Sequence, residues 1–173
     1  YPDLRPKETG TIEASHAVIG LEADQGFTRA PCCQPLPGER IVGIASQGRG
    51  VTIHAIDCAA LAAVEDEPAR WLDLHWASGN HPPVYTVTLD ATIGNDAGVL
   101  GRICTLIGER SANISDLHFM DRKPDFFRLF IDIDLRDAEH LHSVMAALDA
   151  EADVATVERR REAALAEGAA AAE

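Results

Sequence analysis

Two groups of residues in this chain have the types and spacing to do chemistry. The first is Cys32 and Cys33, followed about twenty residues later by His54 and, with three residues between, by Cys58. Thiolate and imidazole are the ligands zinc prefers, and four of them close a tetrahedral structural site. The same residues also read as packed thiols around a satisfied sheet histidine. A third reading makes Cys58 a nucleophile with His54 as its base. That reading lacks a residue to orient the imidazole and an evident oxyanion hole. Cys104 falls in an apolar helical stripe and is expected in a core.

The second group lies in the stretch from Asn95 to Ile114, NDAGVLGRICTLIGERSANI. It reads as a loop after a strand, a helix start, one amphipathic helix and the start of another strand. A helix N-terminus presents backbone N–H groups without intrahelical partners, and its dipole favours an anion. Asn95 and Asp96 can cap that start or reach a ligand, and Gly98 lets something approach the backbone closely. An amino acid, with its carboxylate and ammonium, suits such a site. The remaining histidines lack ligand spacing. Asp132 and Asp134 point to one side of a strand and read as a solvated sheet face rather than a catalytic pair. Nothing matches a phosphate-binding loop, a dinucleotide fingerprint or a hydrolase elbow, so the chain is expected to be non-catalytic.

These groups need elements to hold them. Around the cysteines, Ile41 to Ala45 and Val51 to Ile53 read as two strands joined by a Gln47-Gly48-Arg49-Gly50 turn. Cys58 to Val64 reads as a short helix with Asp57 as N-cap, and Trp71 to Trp76 as another short strand. Further on the periods are cleaner. Tyr85, Val87 and Leu89 alternate with polar residues, and Phe127, Leu129, Ile131, Ile133 and Leu135 point one way. Ile114, Leu117 and Phe119 alternate imperfectly, the mark of a bulge. Val99, Ile103, Leu106 and Ile107 form one helical stripe, and Leu141, Val144, Met145 and Leu148 another. With Val154, Thr156 and Glu158 as a last strand, the order is βαββαβ. The fold class is therefore α+β, a small α/β region followed by a ferredoxin-like βαββαβ domain. The expected divisions are 1–19 as a linker remnant, 20–78, 84–160, and 161–173 as a disordered tail, with the break at the double proline Pro82-Pro83.

The totals bound the rest. The chain has 173 residues and a net charge of −13, which argues against broad phosphate-backbone binding. Arg29, Arg40 and Arg49 stand against the single acid Glu39 between Gln25 and His54. They read as solvated surface, and a local RNA contact stays open. No apolar run is long enough for a membrane span and no export leader is visible, so a cytoplasmic location is expected. The chain opens at Tyr1 without a methionine, as a piece of a longer protein would.

APCCQPLPGERIVGIASQGRGVTIHAIDC closely resembles the conserved-cysteine, or zinc-finger, region of the long RelA/SpoT homologues, bacterial stringent-response enzymes that make and break (p)ppGpp. CCQPLPG, the QGRG turn and IH-x-x-DC stand in the family's order. Ala55 departs from the arginine that members often carry after the histidine. The later part resembles an ACT domain, the regulatory βαββαβ module that follows this region in that family. Within it, N-D-A-G-V-L-G-R followed by N-I is similar to the effector motif of ACT subunits from branched-chain amino acid synthesis. The resemblance implies a regulatory, non-catalytic C-terminal part of a (p)ppGpp synthetase/hydrolase, with zinc on Cys32, Cys33, His54 and Cys58. It implies valine or isoleucine bound by Asn95, Asp96, Ala97, Gly98, Val99 and Leu100, with Asn113 of a partner domain as a further polar contact and Ile114 lining the apolar part beside Leu100. The carboxylate is expected on the N–H groups of Gly98, Val99 and Leu100. A homodimer through the ACT half and contact with ribosomal RNA or tRNA in the full-length enzyme are also implied. The other expectation is a ligand-free module that serves only dimer or ribosome contacts.

Overall fold

The computed structural model describes residues 17–22, 25–48, 50–79 and 84–161. The first part of the chain forms a five-stranded sheet in the order β1-β5-β3-β4-β2. Its strands are β1 (Val18–Ile19), β2 (Phe27–Arg29), β3 (Ile41–Ser46), β4 (Gly50–Ala55) and β5 (Trp71–Trp76). β3 and β4 form the expected hairpin, Ile41 facing Ala55 and Ser46 facing Gly50. Gly43 sits where a Cβ would come within 2.4 Å of Leu74 and 2.9 Å of Val51. The two side chains fill the space that the glycine leaves open.

Three local expectations change. Val18 and Ile19 belong to the sheet rather than to a leading linker, pairing with Trp76 and His75. β2 pairs in parallel with β4; its three residues are too few to show a period in the sequence. The turn after β4 is a 3-10 helix over Ala59–Val64, and its N-cap is Cys58, without a side-chain cap bond. Asp57 instead pairs with Arg161, 2.8 Å away.

The second part is a four-stranded antiparallel sheet, order β7-β8-β6-β9, with two helices. Its elements are β6 (Tyr85–Gly94), α1 (Val99–Glu109), β7 (Asn113–Arg122), β8 (Phe126–Leu135), α2 (Ala138–Asp149) and β9 (Val154–Arg159). The alternating residues of β6 and β8 meet the helical stripes in one core, where Leu89, Ile103, Ile131 and Leu148 are fully buried. Each such side chain contributes about 1.5–3 kcal/mol by leaving water. β7 carries the anticipated irregularity, with register shifts at Ile114/Asp116 and Phe119/Asp121. Cys104 is half-exposed rather than in the core. Among the described residues no helix is long and apolar enough to cross a membrane.

His140 ties the helices together. Its Nδ1 accepts the Arg136 N–H at 3.2 Å, so Nε2 carries the proton and donates to the Arg110 carbonyl at 2.7 Å. Asp137, as expected of an N-cap, accepts the His140 N–H at the start of α2.

Candidate metal centre and effector loop

β4 delivers His54 on the face it shares with its register partner Val42, next to a small core that includes Cys33 and Cys58. The turn after β2 delivers Cys32 and Cys33, and the corner after β4 delivers Cys58. All four ligand atoms lie within 4.8 Å of one another. Cys32 Sγ is 3.5 Å from Cys58 Sγ and 3.6 Å from His54 Nδ1, and Cys33 Sγ is 3.9 Å from His54 Nδ1. A zinc tetrahedron with bonds of about 2.0–2.3 Å has edges of roughly 3.5–3.8 Å. The four atoms therefore fit that ion, and four protein ligands would fill its tetrahedron and leave no open position for a reacting group.

The surroundings fit as well. The Ala55 N–H points at Cys33 Sγ from 3.3 Å, a donor suited to a thiolate. Burial lowers the His54 pKa, which keeps the imidazole neutral and able to ligate. Burial raises Cys32 and pushes Cys33 up to about 12. A divalent cation reverses that preference, because metal binding displaces the thiol protons.

The loop from Asn95 to Gly98 lies at one end of the four-stranded sheet. Gly94 N–H donates to Asp153 O at 2.8 Å, and Asn95 N–H to Asp125 O at 3.0 Å. The Asn95 amide donates to Lys123 O at 2.9 Å. The loop is thus pinned between the β7–β8 turn and the start of β9. Gly98 is the N-cap of α1, with φ +87° and no side-chain cap bond. Asn95 and Asp96 do not cap the helix. The Val99 N–H is engaged by Asp96 O at 3.2 Å, which reduces the expected anion donors to Gly98 and Leu100. Asp96, Ala97 and Gly98 are exposed, Leu100 is half-buried and Val99 is buried. Arg102 pairs with Asp153 beside this loop.

Asn113 and Ile114 sit elsewhere in the same chain. Asn113 faces Asp134, which faces Thr86 at the start of β6. Gly94 is eight residues further along that strand, roughly 26 Å away. One chain does not bring the two halves of the expected site together. The Asn113 amide instead donates to Asp134 at 3.1 Å. Asp134 and Asp132 are cross-strand acceptors for the hydroxyls of Thr86 and Thr88, at 2.8 and 2.6 Å.

The residues that join the two halves carry no local sequence signal. Arg29 donates to the carbonyls of Pro35 and Gln34, both at 2.7 Å, and stands 4.9 Å from the Tyr85 ring centroid. It is half-buried rather than solvated, and burial lowers its pKa to about 10. Gln34 reaches Thr88, Leu36 is fully buried in the ACT core, and Glu39 pairs with Arg159. Arg159 and Arg161, near the end of the described chain, pair with Glu39 and Asp57, more than a hundred residues earlier.

Comparison with known proteins agrees with this division. The family model of the RelA/SpoT RIS domain matches residues 16–77, and that of an ACT domain matches residues 82–159. The GTP pyrophosphokinase rsh of Brucella suis is 33% identical over 125 residues, covering 72% of this chain and 17% of the relative. The bifunctional (p)ppGpp synthase/hydrolase SpoT of Escherichia coli K12 is 27% identical over 149 residues, covering 85% of this chain and 21% of SpoT. The chain therefore spans about a fifth of the length of such relatives. Among solved structures, the ACT domain from the GTP pyrophosphokinase of Chlorobium tepidum aligns at 21% identity and a TM-score of 0.40, over 44% of this chain and 97% of that one.

Proposed function

This chain belongs to the RelA/SpoT family as the regulatory C-terminal region that carries the RIS and ACT domains, and on that premise we propose that its ACT half binds a branched-chain amino acid, valine or isoleucine, to set the balance between (p)ppGpp hydrolysis and synthesis in the full-length enzyme. The observation that carries the reading is the loop from Asn95 to Gly98, held from both sides and ending in an uncapped, exposed helix start. The ligand carboxylate lies on the N–H groups of Gly98 and Leu100. Asn95 and Asp96 hold the ammonium, and Leu100 flanks the side chain.

The far half of the site comes from a second copy. β7 is an edge strand, and edge strands of two copies pair readily in a closed two-fold arrangement. Antiparallel pairing of β7 with its twin brings the partner subunit's Asn113 and the partner subunit's Ile114 toward the start of α1. Binding signals amino acid plenty, so it favours hydrolysis. The four-ligand cluster holds one structural zinc, in a cytoplasmic protein.

Calorimetry with single amino acids tests the effector reading. Valine has two more carbons to bury than alanine, each worth about 0.8 kcal/mol. Valine should therefore bind roughly tenfold or more tightly than alanine, and serine should gain little. Equal responses to valine and serine would rule out the apolar site described, and no response would leave a ligand-free dimerisation and ribosome-docking module as the better reading.

A further inference from the structure

We propose that metal binding at Cys32, Cys33, His54 and Cys58 and docking of the cysteine module onto the ACT sheet are a single coupled equilibrium, with Gln34 and Glu39 as the latch. The proposal rests on the reading that those four residues hold zinc.

β9 covers β6 only from Leu89 to Ile93. One residue earlier the Arg160 N–H, just past the end of β9, still donates to Thr88 O at 2.9 Å, but the Thr88 N–H on that edge has no strand partner, and a buried N–H without a partner is costly. The segment that leaves the metal site fills this gap. Gln34 follows Cys33 directly, and its φ of +45° turns the chain from the metal toward the sheet. Its Oε1 accepts the Thr88 N–H at 2.9 Å, and its Nε2 donates to Thr88 Oγ1 at 3.4 Å. Arg29 supplies the next contact along the same edge, donating to Thr86 O at 3.4 Å. Side chains of the cysteine module thus complete the edge of β6 that β9 and Arg160 leave open.

The rest of the segment locks the placement. Leu36 enters the ACT core. Pro37 O accepts the N–H of Ala138, the first residue of α2, at 2.9 Å. Glu39 accepts from Arg159 and, at 2.7 Å, from the Leu36 N–H. On the other side of the ligand set, Asp57 adjoins Cys58 and pairs with Arg161. Both ends of the ligand set are therefore tied to the end of β9. A metal that holds Cys32 and Cys33 against His54 and Cys58 also holds Gln34 and Asp57 at the spacing the ACT half requires. Coupling of this kind is reciprocal: a broken latch weakens the metal by the same factor that metal loss weakens the latch.

The test uses the zinc-loaded chain and two readouts. Arg159→Gln lies on the ACT side and removes latch contacts without touching a ligand. Competition with a chromophoric chelator should show zinc bound roughly fivefold or more weakly in this variant. In the wild type, stripping zinc with a chelator should speed hydrogen exchange of the Thr88 amide, while amides of the β6–β8 ladder stay protected. Should Arg159→Gln fail to fold, Thr88→Val removes the Gln34 Nε2 contact more gently and should weaken zinc in the same direction. Unchanged zinc affinity together with an unmoved Thr88 amide would overturn the coupling and leave the zinc site standing. A wild-type chain that binds no zinc would overturn both.

Discussion

Arg159, the last residue of β9, places its guanidinium against the carboxylate of Glu39, 120 positions earlier, with Nη2 3.2 Å from Oε2. The side chains are only 8% and 21% exposed, so water screens the pair weakly. Removing one member of such a pair strands the other charge, which matters more than the attraction lost. Glu39→Ala should cost about 2–4 kcal/mol in urea denaturation. Glu39→Gln should cost less, because an amide oxygen still accepts from Arg159. Equal stability of Glu39→Ala and wild type would show that the pair is solvated in solution.

Tyr85 offers a pH test at the same junction. The side chain is 2% exposed, stacks edge-on with Trp76 at 5.7 Å, and its hydroxyl has no hydrogen-bond partner among the described residues. Burial pushes its pKa up to about 12 from 10.0. The folded state therefore keeps the phenol proton over a range in which the unfolded chain has released it. The stability this contributes is complete below pH 10 and is lost as pH rises toward 12. Tyr85→Phe should be neutral or stabilising at pH 8, since it removes an unpaired buried hydroxyl. Its advantage over wild type should grow at pH 11. Melting curves that shift in parallel at both pH values would place the hydroxyl in water.

The ACT half was legible because its strands are long and half-buried. Phe127 to Leu135 alternates without a break, and a one-residue slip would turn that whole row outward. Even the bulge in β7 left its mark between Ile114 and Phe119. That Cys32, Cys33, His54 and Cys58 come together was legible because thiols and an imidazole at that spacing narrow the choices. Contacts between the halves were not. Nothing local distinguishes Glu39 from a surface acid, or Arg29 from a surface base, since each acquires its role from residues far away in sequence. Asp57 has the type and position of a helix cap, yet Arg161 is the better partner because the turn that follows is 3-10 and begins at Cys58. At the effector loop the left-handed Gly98 took the cap position from Asn95 and Asp96, whose side chains stay off the helix end.

The zinc site predicts a selective collapse. Among the described residues both α-helices belong to the ACT half, so helical circular dichroism reports chiefly on that half. Cys58→Ser removes a ligand from a site whose binding energy is folding energy. Elemental analysis should find one zinc per wild-type chain and well under one in the variant. Fluorescence of Trp71 and Trp76, both on β5, should shift toward that of exposed indole, while most of the helical signal remains. A variant with wild-type fluorescence and melting would mean that the thiols only pack.

Gly98 separates the strain of a substitution from its effect on the effector. Its φ of +87° is left-handed, so any side chain there is strained by roughly 1–2 kcal/mol. Space is not the obstacle: a Cβ would meet only Arg102 Nη1, at an ordinary 3.5 Å. Gly98→Ala and Gly98→Glu should therefore lose similar stability, measured by thermal melting. Their binding should differ. Alanine leaves the N–H groups of Gly98 and Leu100 accessible, whereas glutamate sets a second carboxylate beside the one they receive. Valine titrations should give a weakened response with Gly98→Ala and none with Gly98→Glu. If both variants bind valine as the wild type does, the amino acid does not use this helix start.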